Sequence, residues 1–367
     1  MPGNAPVVVI EDDKILRFLH ALLDPACPSA RLASLADFLS VDLADFDGWL
    51  ASVRGFIGAL YPAEVRIVSN EAELVAALPE ADILVLQNLP IGVAHLGRAP
   101  RLKGIVKFGT DTRNIDRAAC GMLKVAVQTV RRAVNCAVAE HAIALMLAVG
   151  HKIVETHGAL DFDSLRSLGY KPAPFDANHI SGANWARVSG LKGLYGATLG
   201  ALGLGEVGRE VAIRAKAMGM RLLYHQRNRA SVEVERECDA EYVSFDDLVR
   251  RADFFSIHLP LNHATQGLVG APVFAGMKEG AVLINVSRAA IVERGALMDA
   301  LASGRLGGAG LDVHFDEPGA ADEPLKKFRN VVLSPHIAVG NRTYAIFDME
   351  ATVAAMAEII SRPRQGA

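Results

Sequence analysis

Two periods of hydrophobicity alternate along the chain. Short aliphatic runs at residues 7–10, 65–68, 83–86, 105–108 and 124–127 have the length and β-branched content of buried parallel strands. Residues 14–23, 71–78 and 116–120 carry helical spacing, and Leu35, Phe38, Leu39, Phe46, Trp49, Phe56 and Leu60 predict further helix before Tyr61. A long apolar helix is predicted from about residue 137 to residue 151. Residues 162–190, rich in Gly, Pro, Asn and Ser, predict a surface loop. The strand rhythm resumes at residue 198 and recurs at 254–258, 282–286, 308–313 and 331–333, and residues 343–360 form one amphipathic helical pattern. Strands alternating with helices predict parallel sheets covered by helices, an α/β fold. No short repeat or low-complexity tract interrupts the pattern.

The strand beginning at Thr198 runs into Gly203, Gly205 and Gly208, spaced G-x-G-x-x-G with Glu206 and Val207 inside the motif, and a helical pattern and a second strand ending at Tyr224 follow. This spacing suits a dinucleotide pyrophosphate. The first glycine allows a tight turn, the second lets the backbone approach the phosphates, and the third lets helix and strand pack closely, with the helix N-terminus facing the anion. At the end of the second strand, where NAD-preferring sites place a carboxylate on the ribose, stands Gln226, followed by Arg227 and Arg229. Arginines there suit a 2′-phosphate, so the expected cofactor is NADP in preference to NAD.

Length and composition narrow the class. A chain of 367 residues suggests two domains, placed at residues 1–134 plus 339–367 and at 135–338. Net charge is -3 with no long basic run, which argues against nucleic acid or an anionic membrane as partner. Cys27, Cys120, Cys136 and Cys238 form no C-x-x-C and read as reduced thiols, without a disulfide framework or a metal site. The start, MPGNAPVVVIEDD, has no basic region and too short an apolar run for a signal peptide, so a cytoplasmic protein is expected. Asn135, Glu140 and His141 within the longest apolar stretch mark a buried or interface helix and not a membrane span.

Three ionisable segments follow the fingerprint: VLINVSRAAIVERGAL with Arg288, GAGLDVHFDEP with Asp312 and Glu317, and VVLSPHIAVG with His336. Each lies just past an apolar strand, at the edge where doubly wound sheets bind ligands. The chemistry that fits is carbonyl reduction. Arginine grips a 2-oxo acid with a planar fork, histidine supplies and retrieves the carbonyl proton, and a carboxylate orients that histidine and favours its imidazolium. The predicted roles are Arg288 for substrate anchoring, His336 as acid/base and Glu317 as its partner.

These segments also resemble a family. LKGIVKFGTDTRNIDRAA, VAEHAIALMLA, LGALGLGEVGREVA, HLPLNHATQGLVG, INVSRAAIVERGAL, GAGLDVHFDEP and SPHIAVG, in this order, are similar to the D-2-hydroxyacid dehydrogenases over residues 65–346. The resemblance implies a Rossmann dinucleotide-binding domain and a flavodoxin-like substrate (lid) domain. It implies the same roles for Arg288, Glu317 and His336, and a contact of Asp312 with the nicotinamide carboxamide. Leu259, Pro260, Thr265, Val286 and His336 would adjoin the cofactor, and the backbone of Phe108, Gly109 and Thr110 would bind the substrate carboxylate. YHQRNR resembles NADP-preferring glyoxylate/hydroxypyruvate reductases, and a homodimer through the VAEH helix is implied. Three departures stand out. Ala289 follows Arg288 where the family has glycine, DTRNID replaces the common GVDNID, and the regions before residue 65 and after residue 151 are long. Lys107 and Arg113 are candidates for reading a second anionic group. The alternatives are a formate- or phosphite-type dehydrogenase, which would lack a carboxylate beside the histidine, and a nucleotide-sensing corepressor or scaffold on the same fold.

Overall fold

The computed structural model describes residues 5–362. Residues 1–4 and 363–367, the outer ends of the first predicted domain, lie outside them. The backbone divides into two compact units, one of residues 5–134 with 341–362 and one of residues 135–340.

The first unit is built on five parallel strands in the order β2-β1-β3-β4-β5. They are β1 (Val7–Glu11), β2 (Glu64–Val68), β3 (Ile83–Leu86), β4 (Gly104–Phe108) and β5 (Ala126–Val130). In β1, β3 and β4 every residue is buried, which explains why their sequences are apolar except at Glu11 and Lys107: a strand covered on both faces has no polar side to alternate with. One face packs on Leu19, Leu22, Leu35, Leu50 and Val53 of the N-terminal helices and on Met349, Val353 and Met356 of the last helix, Arg342–Ser361. The strand expected at residues 124–127 begins two residues later. Lys124 takes a left-handed φ of 56° to close the turn after the helix Arg117–Met122, so pairing starts at Ala126 opposite Gly104.

The second unit holds seven parallel strands in the order β12-β11-β10-β9-β6-β7-β8. They are β6 (Thr198–Leu202), β7 (Arg221–His225), β8 (Ala240–Tyr242), β9 (Phe254–Ile257), β10 (Ala281–Asn285), β11 (Leu306–Leu311) and β12 (Val331–Leu333). Chain order reverses between β6 and β9, so the turns after these strands diverge and leave a crevice at the carboxyl edge. The long apolar helix Ala133–Gly150 contributes Ala139, Ala142, Leu145 and Met146 to this core. It alone among the described residues is long and apolar enough to cross a membrane, and 56% of it is buried inside the protein. The predicted loop at 162–190 contains a short helix, Phe162–Ser167, started by Asp161, whose side chain accepts the N–H groups of Asp163 and Ser164. Strand β8 is only three residues long and only partly buried, which is why periodicity did not reveal it.

Candidate active site

The glycine turn occupies the crevice. Gly203 has φ 100°, and a Cβ there would lie 2.8 Å from the carbonyl oxygen of His258. A Cβ at Gly208 would meet the carbonyl oxygen of Gly203 at 2.3 Å. Both positions therefore require glycine. At Gly205 a Cβ meets nothing within 4 Å, so the turn opens onto free space at the N-terminus of the helix Glu206–Ala217. Beside the turn, His258 buries both ring nitrogens without a partner among the described residues, although the residue as a whole is half-buried. Burial pushes its pKa down to about 4, leaving a neutral imidazole. A cradle that excludes side chains, a helix N-terminus and an orphaned imidazole fit a pyrophosphate-bearing group.

The neighbouring residues are held by one another. Glu206 accepts the Asn135 amide at 2.9 Å, and Val207 packs partly buried against the core. Gln226 closes the end of β7 onto the turn, accepting the Leu204 N–H at 2.9 Å and donating to the Asn228 carbonyl at 2.8 Å. Arg229 is engaged through Nε and Nη2 by Glu235, at 2.8 and 2.9 Å. Arg227 is exposed and has no partner among the described residues. After β9, Thr265 donates to the Pro260 carbonyl at 2.7 Å and Ser287 to the Leu259 carbonyl, which fixes the 259–265 loop. Val286 is buried at the end of β10.

Arg288 leaves the same edge, exposed, its Nη1 donating to the Ser287 carbonyl at 2.6 Å. The alanine after it sits in the 3₁₀ turn Ala289–Ile291 with its side chain buried, so the departure from glycine is accommodated there. Beyond β11 and β12, His336 Nδ1 and Glu317 Oε2 are 2.7 Å apart, and Glu317 Oε1 accepts the His314 N–H at 2.9 Å. Burial acts to raise the Glu317 pKa, but the hydrogen bonds from His336 and His314 outweigh it and hold the carboxyl below its ordinary value. With Nδ1 engaged, Nε2 is the His336 nitrogen available for proton transfer. The pair lines a cavity of about 420 Å³ with His314, Leu333 and Pro335. Among the described residues no hydrogen bond joins Arg288 to Glu317 or His336.

His336 itself has φ 54°, uncommon for a residue with a side chain. The turn is held by residues whose bracing role the sequence did not show. Asp312, buried, accepts Ser334 Oγ at 2.7 Å and the N–H groups of Ile337 and Ala338 at 2.9 Å each. His141 Nε2 lies 2.7 Å from Ser334 Oγ and 3.3 Å from Asp312 Oδ1. Burial raises the Asp312 pKa, but hydrogen bonds from His141, Ser334, Ala338 and Ile337 bring it below the ordinary value. The carboxamide role expected of Asp312 therefore competes with four donors already gathered on its carboxylate. The only sequence signal was a serine beside Pro335 and His336, and it did not point to Asp312. Asp312→Ala leaves the buried Ala338 N–H and the Ile337 N–H without acceptors, and is expected to lower unfolding free energy by about 3 kcal/mol. A urea midpoint within error of the wild type would contradict this bracing.

In the other unit, Phe108 ends β4 buried, Gly109 takes φ 128° and donates its N–H to the Val130 carbonyl at 3.0 Å, and Thr110 follows. The Gly109 donor is thus already used. Arg113 is tied to Asp111 by a two-pronged ion pair, and Lys107 is buried, donating to the Gln87 carbonyl. No cluster of metal-ligating side chains occurs among the described residues.

Comparison with known proteins follows the same lines. The profile of the D-isomer specific 2-hydroxyacid dehydrogenase NAD binding domain matches residues 172–338. A glyoxylate reductase of Aeropyrum pernix is 38% identical over 272 residues, covering 73% of this chain and 77% of that protein. A glyoxylate reductase of Thermococcus litoralis is 37% identical, covering 72% and 76%. The crystal structure of Rhodotorula graminis D-mandelate dehydrogenase shares the fold, with a TM-score of 0.55 at 24% identity over 96% of this chain and 93% of that one.

Proposed function

The chain belongs to the D-isomer-specific 2-hydroxyacid dehydrogenases, and we propose from this premise that it reduces small 2-oxo acids with NADPH, using His336, Glu317 and Arg288. It is an enzyme of NAD(P)-dependent hydride transfer between 2-oxo and 2-hydroxy acids, with a nicotinamide cofactor. The observation that carries the residue-level reading is the 2.7 Å contact between His336 and Glu317 at the edge that also presents the glycine turn.

Gly203, Gly205 and Gly208 would hold the pyrophosphate, with Glu206 and Val207 in the same turn and Leu259, Pro260, Thr265 and Val286 on the adjoining loops. The nicotinamide supplies the hydride when bound. Arg288 grips the substrate carboxylate and polarises its carbonyl through a planar, always-charged fork. His336 delivers a proton from Nε2 to the carbonyl oxygen, while Glu317 keeps Nδ1 protonated and stabilises the imidazolium. A carboxylate beside the histidine favours a hydroxy acid over formate, whose oxidation needs no acid/base. In this reading residues 135–338 bind the dinucleotide.

The preference for NADP(H) is supported by the absence of a free carboxylate at the end of β7. Gln226 stands there, and Glu235 is consumed by Arg229. That leaves Arg227 to meet a 2′-phosphate. Arg227→Asp is expected to weaken NADPH binding about 30-fold and NADH binding less than about threefold, as loss of a charge-assisted contact and gain of repulsion predict. Equal losses for both cofactors, measured by fluorescence titration, would remove the 2′-phosphate from this site.

A homodimer is supported by Ile153, Val154, Leu160 and Ile180, apolar side chains left exposed after the long helix. A monomeric mass in solution would exclude it. The reaction itself is tested by following NADPH and NADH oxidation against glyoxylate, hydroxypyruvate, pyruvate and bulkier 2-oxo acids. Turnover with NADPH establishes the proposal, whereas intact cofactor binding without turnover of any 2-oxo acid defeats it.

A further inference from the structure

The seven parallel strands of residues 135–340 have two edges, and the glycine turn and the His336–Glu317 pair occupy the carboxyl one. At the opposite, amino edge, where β6, β7 and β8 begin at Thr198, Arg221 and Ala240, lies a cavity of about 680 Å³. The helices Val232–Cys238 and Phe245–Arg251 contribute to its wall, and all of its lining belongs to this one unit. Met220, Leu222 and Val232 give it an apolar face, and charged side chains complete it. An apolar wall with a few convergent polar groups is the make-up of a small-molecule site.

The charges are unbalanced. Five cationic side chains line the cavity against three acids. Arg251 is held by Glu241 at 2.9 and 3.0 Å, Lys278 by Asp253 at 2.9 Å, and Arg250 by Asp247. Glu235 is taken by Arg229 and Tyr224. That leaves the guanidinium groups of Arg221 and Arg236 with no hydrogen-bond or ion-pair partner among the described residues, and one free lining acid, Asp239, against them. A concave surface focuses the field of such a pair, and two planar forks together suit an anion with more than one charged group. A monovalent ion would engage only one of them.

We propose that this amino-edge cavity binds a small multivalent anion, a polyphosphate or a polycarboxylate, gripped by Arg221 and Arg236. The site is separate from the cofactor crevice, and the proposal does not depend on which 2-oxo acid the enzyme reduces.

The test is isothermal titration calorimetry of the full chain with pyrophosphate and with citrate, at matched ionic strength, with sodium chloride as control. The protein is first saturated with NADPH or NADH, which fills the glycine turn. The wild type is expected to bind at least one of the two anions with a Kd of about 1 mM or tighter, and the one preferred identifies phosphate or carboxylate chemistry. Arg221→Gln and Arg236→Gln should each weaken that binding about tenfold. Both variants should melt near the wild-type temperature, because the side chains are exposed and unpaired. Asp239→Asn removes the opposing charge and should tighten binding about threefold; asparagine tolerates the left-handed φ of 54° at this position. A wild type that binds neither anion more tightly than chloride overturns the proposal. So does equal affinity in the wild type and both arginine variants, or binding that the saturating cofactor abolishes, which would locate the anion at the glycine turn. Unchanged or weaker binding by Asp239→Asn would likewise place the anion elsewhere.

Discussion

His336→Asn is expected to lower kcat for 2-oxo acid reduction by about 10²- to 10⁴-fold, the usual contribution of a positioned general acid. Asparagine is the informative replacement because it tolerates left-handed backbone, and position 336 has φ 54°. The variant should keep the turn held by Asp312, melt near the wild-type temperature and bind NADPH normally. Retention of more than about a tenth of the wild-type kcat would remove His336 from the chemistry. The pH profile gives an independent check. Reduction consumes a proton, so its rate should fall as pH rises, while oxidation needs an unprotonated base and should show the opposite limb. Glu317 has a lowered pKa, so its charge is present above the ordinary carboxylate range and is lost only as pH falls through that lowered value. Glu317→Gln keeps a hydrogen-bonding side chain but removes the charge that favours the imidazolium. It should move the alkaline limb of reduction to lower pH. Superimposable profiles for the variant and the wild type would show that Glu317 has no electrostatic hold on the acid/base.

Arg288→Lys should cost about 10²- to 10³-fold in kcat/KM, comparable with removing a donor aimed at a developing oxyanion. Lysine preserves the charge but not the two-pronged geometry, so the loss isolates orientation from attraction. Stability should hardly change, because Arg288 is exposed and its one hydrogen bond, to the Ser287 carbonyl, is local. NADPH affinity should also hold. A change of less than about threefold in kcat/KM would return Arg288 to the ordinary surface.

How much of this was readable before folding differs from residue to residue. Strands such as Val7–Glu11 and Ile83–Leu86 were legible because burial on both faces favours an unbroken apolar run, here Val7 to Ile10 and Ile83 to Leu86. Gly203 and Gly208 were legible because the backbone there excludes a Cβ, a constraint satisfied by one amino acid alone. The order of motifs along the chain was enough to identify the family. The three-residue strand β8 and the helix Phe162–Ser167 were not visible, since elements this short owe their existence to neighbours and a single cap rather than to their own periodicity.

Charged side chains show the limit most clearly. Arg227 and Arg229 look equivalent in sequence, yet Glu235 captures Arg229 and leaves Arg227 without a partner among the described residues. Asp312 looked like a cofactor contact, but Ser334, Ile337 and Ala338 reach its carboxylate from the His336 turn and His141 approaches from a distant helix. Arg221 and Arg236 drew no notice at all until the fold set them around one cavity. The sequence by itself determined the elements, the glycine turn and the family, because backbone preference and burial pattern are written in adjacent residues. Only the tertiary structure decided which charge meets which, because a hydrogen bond is made or lost within about 3 Å. That distance is set by loops far apart in the chain.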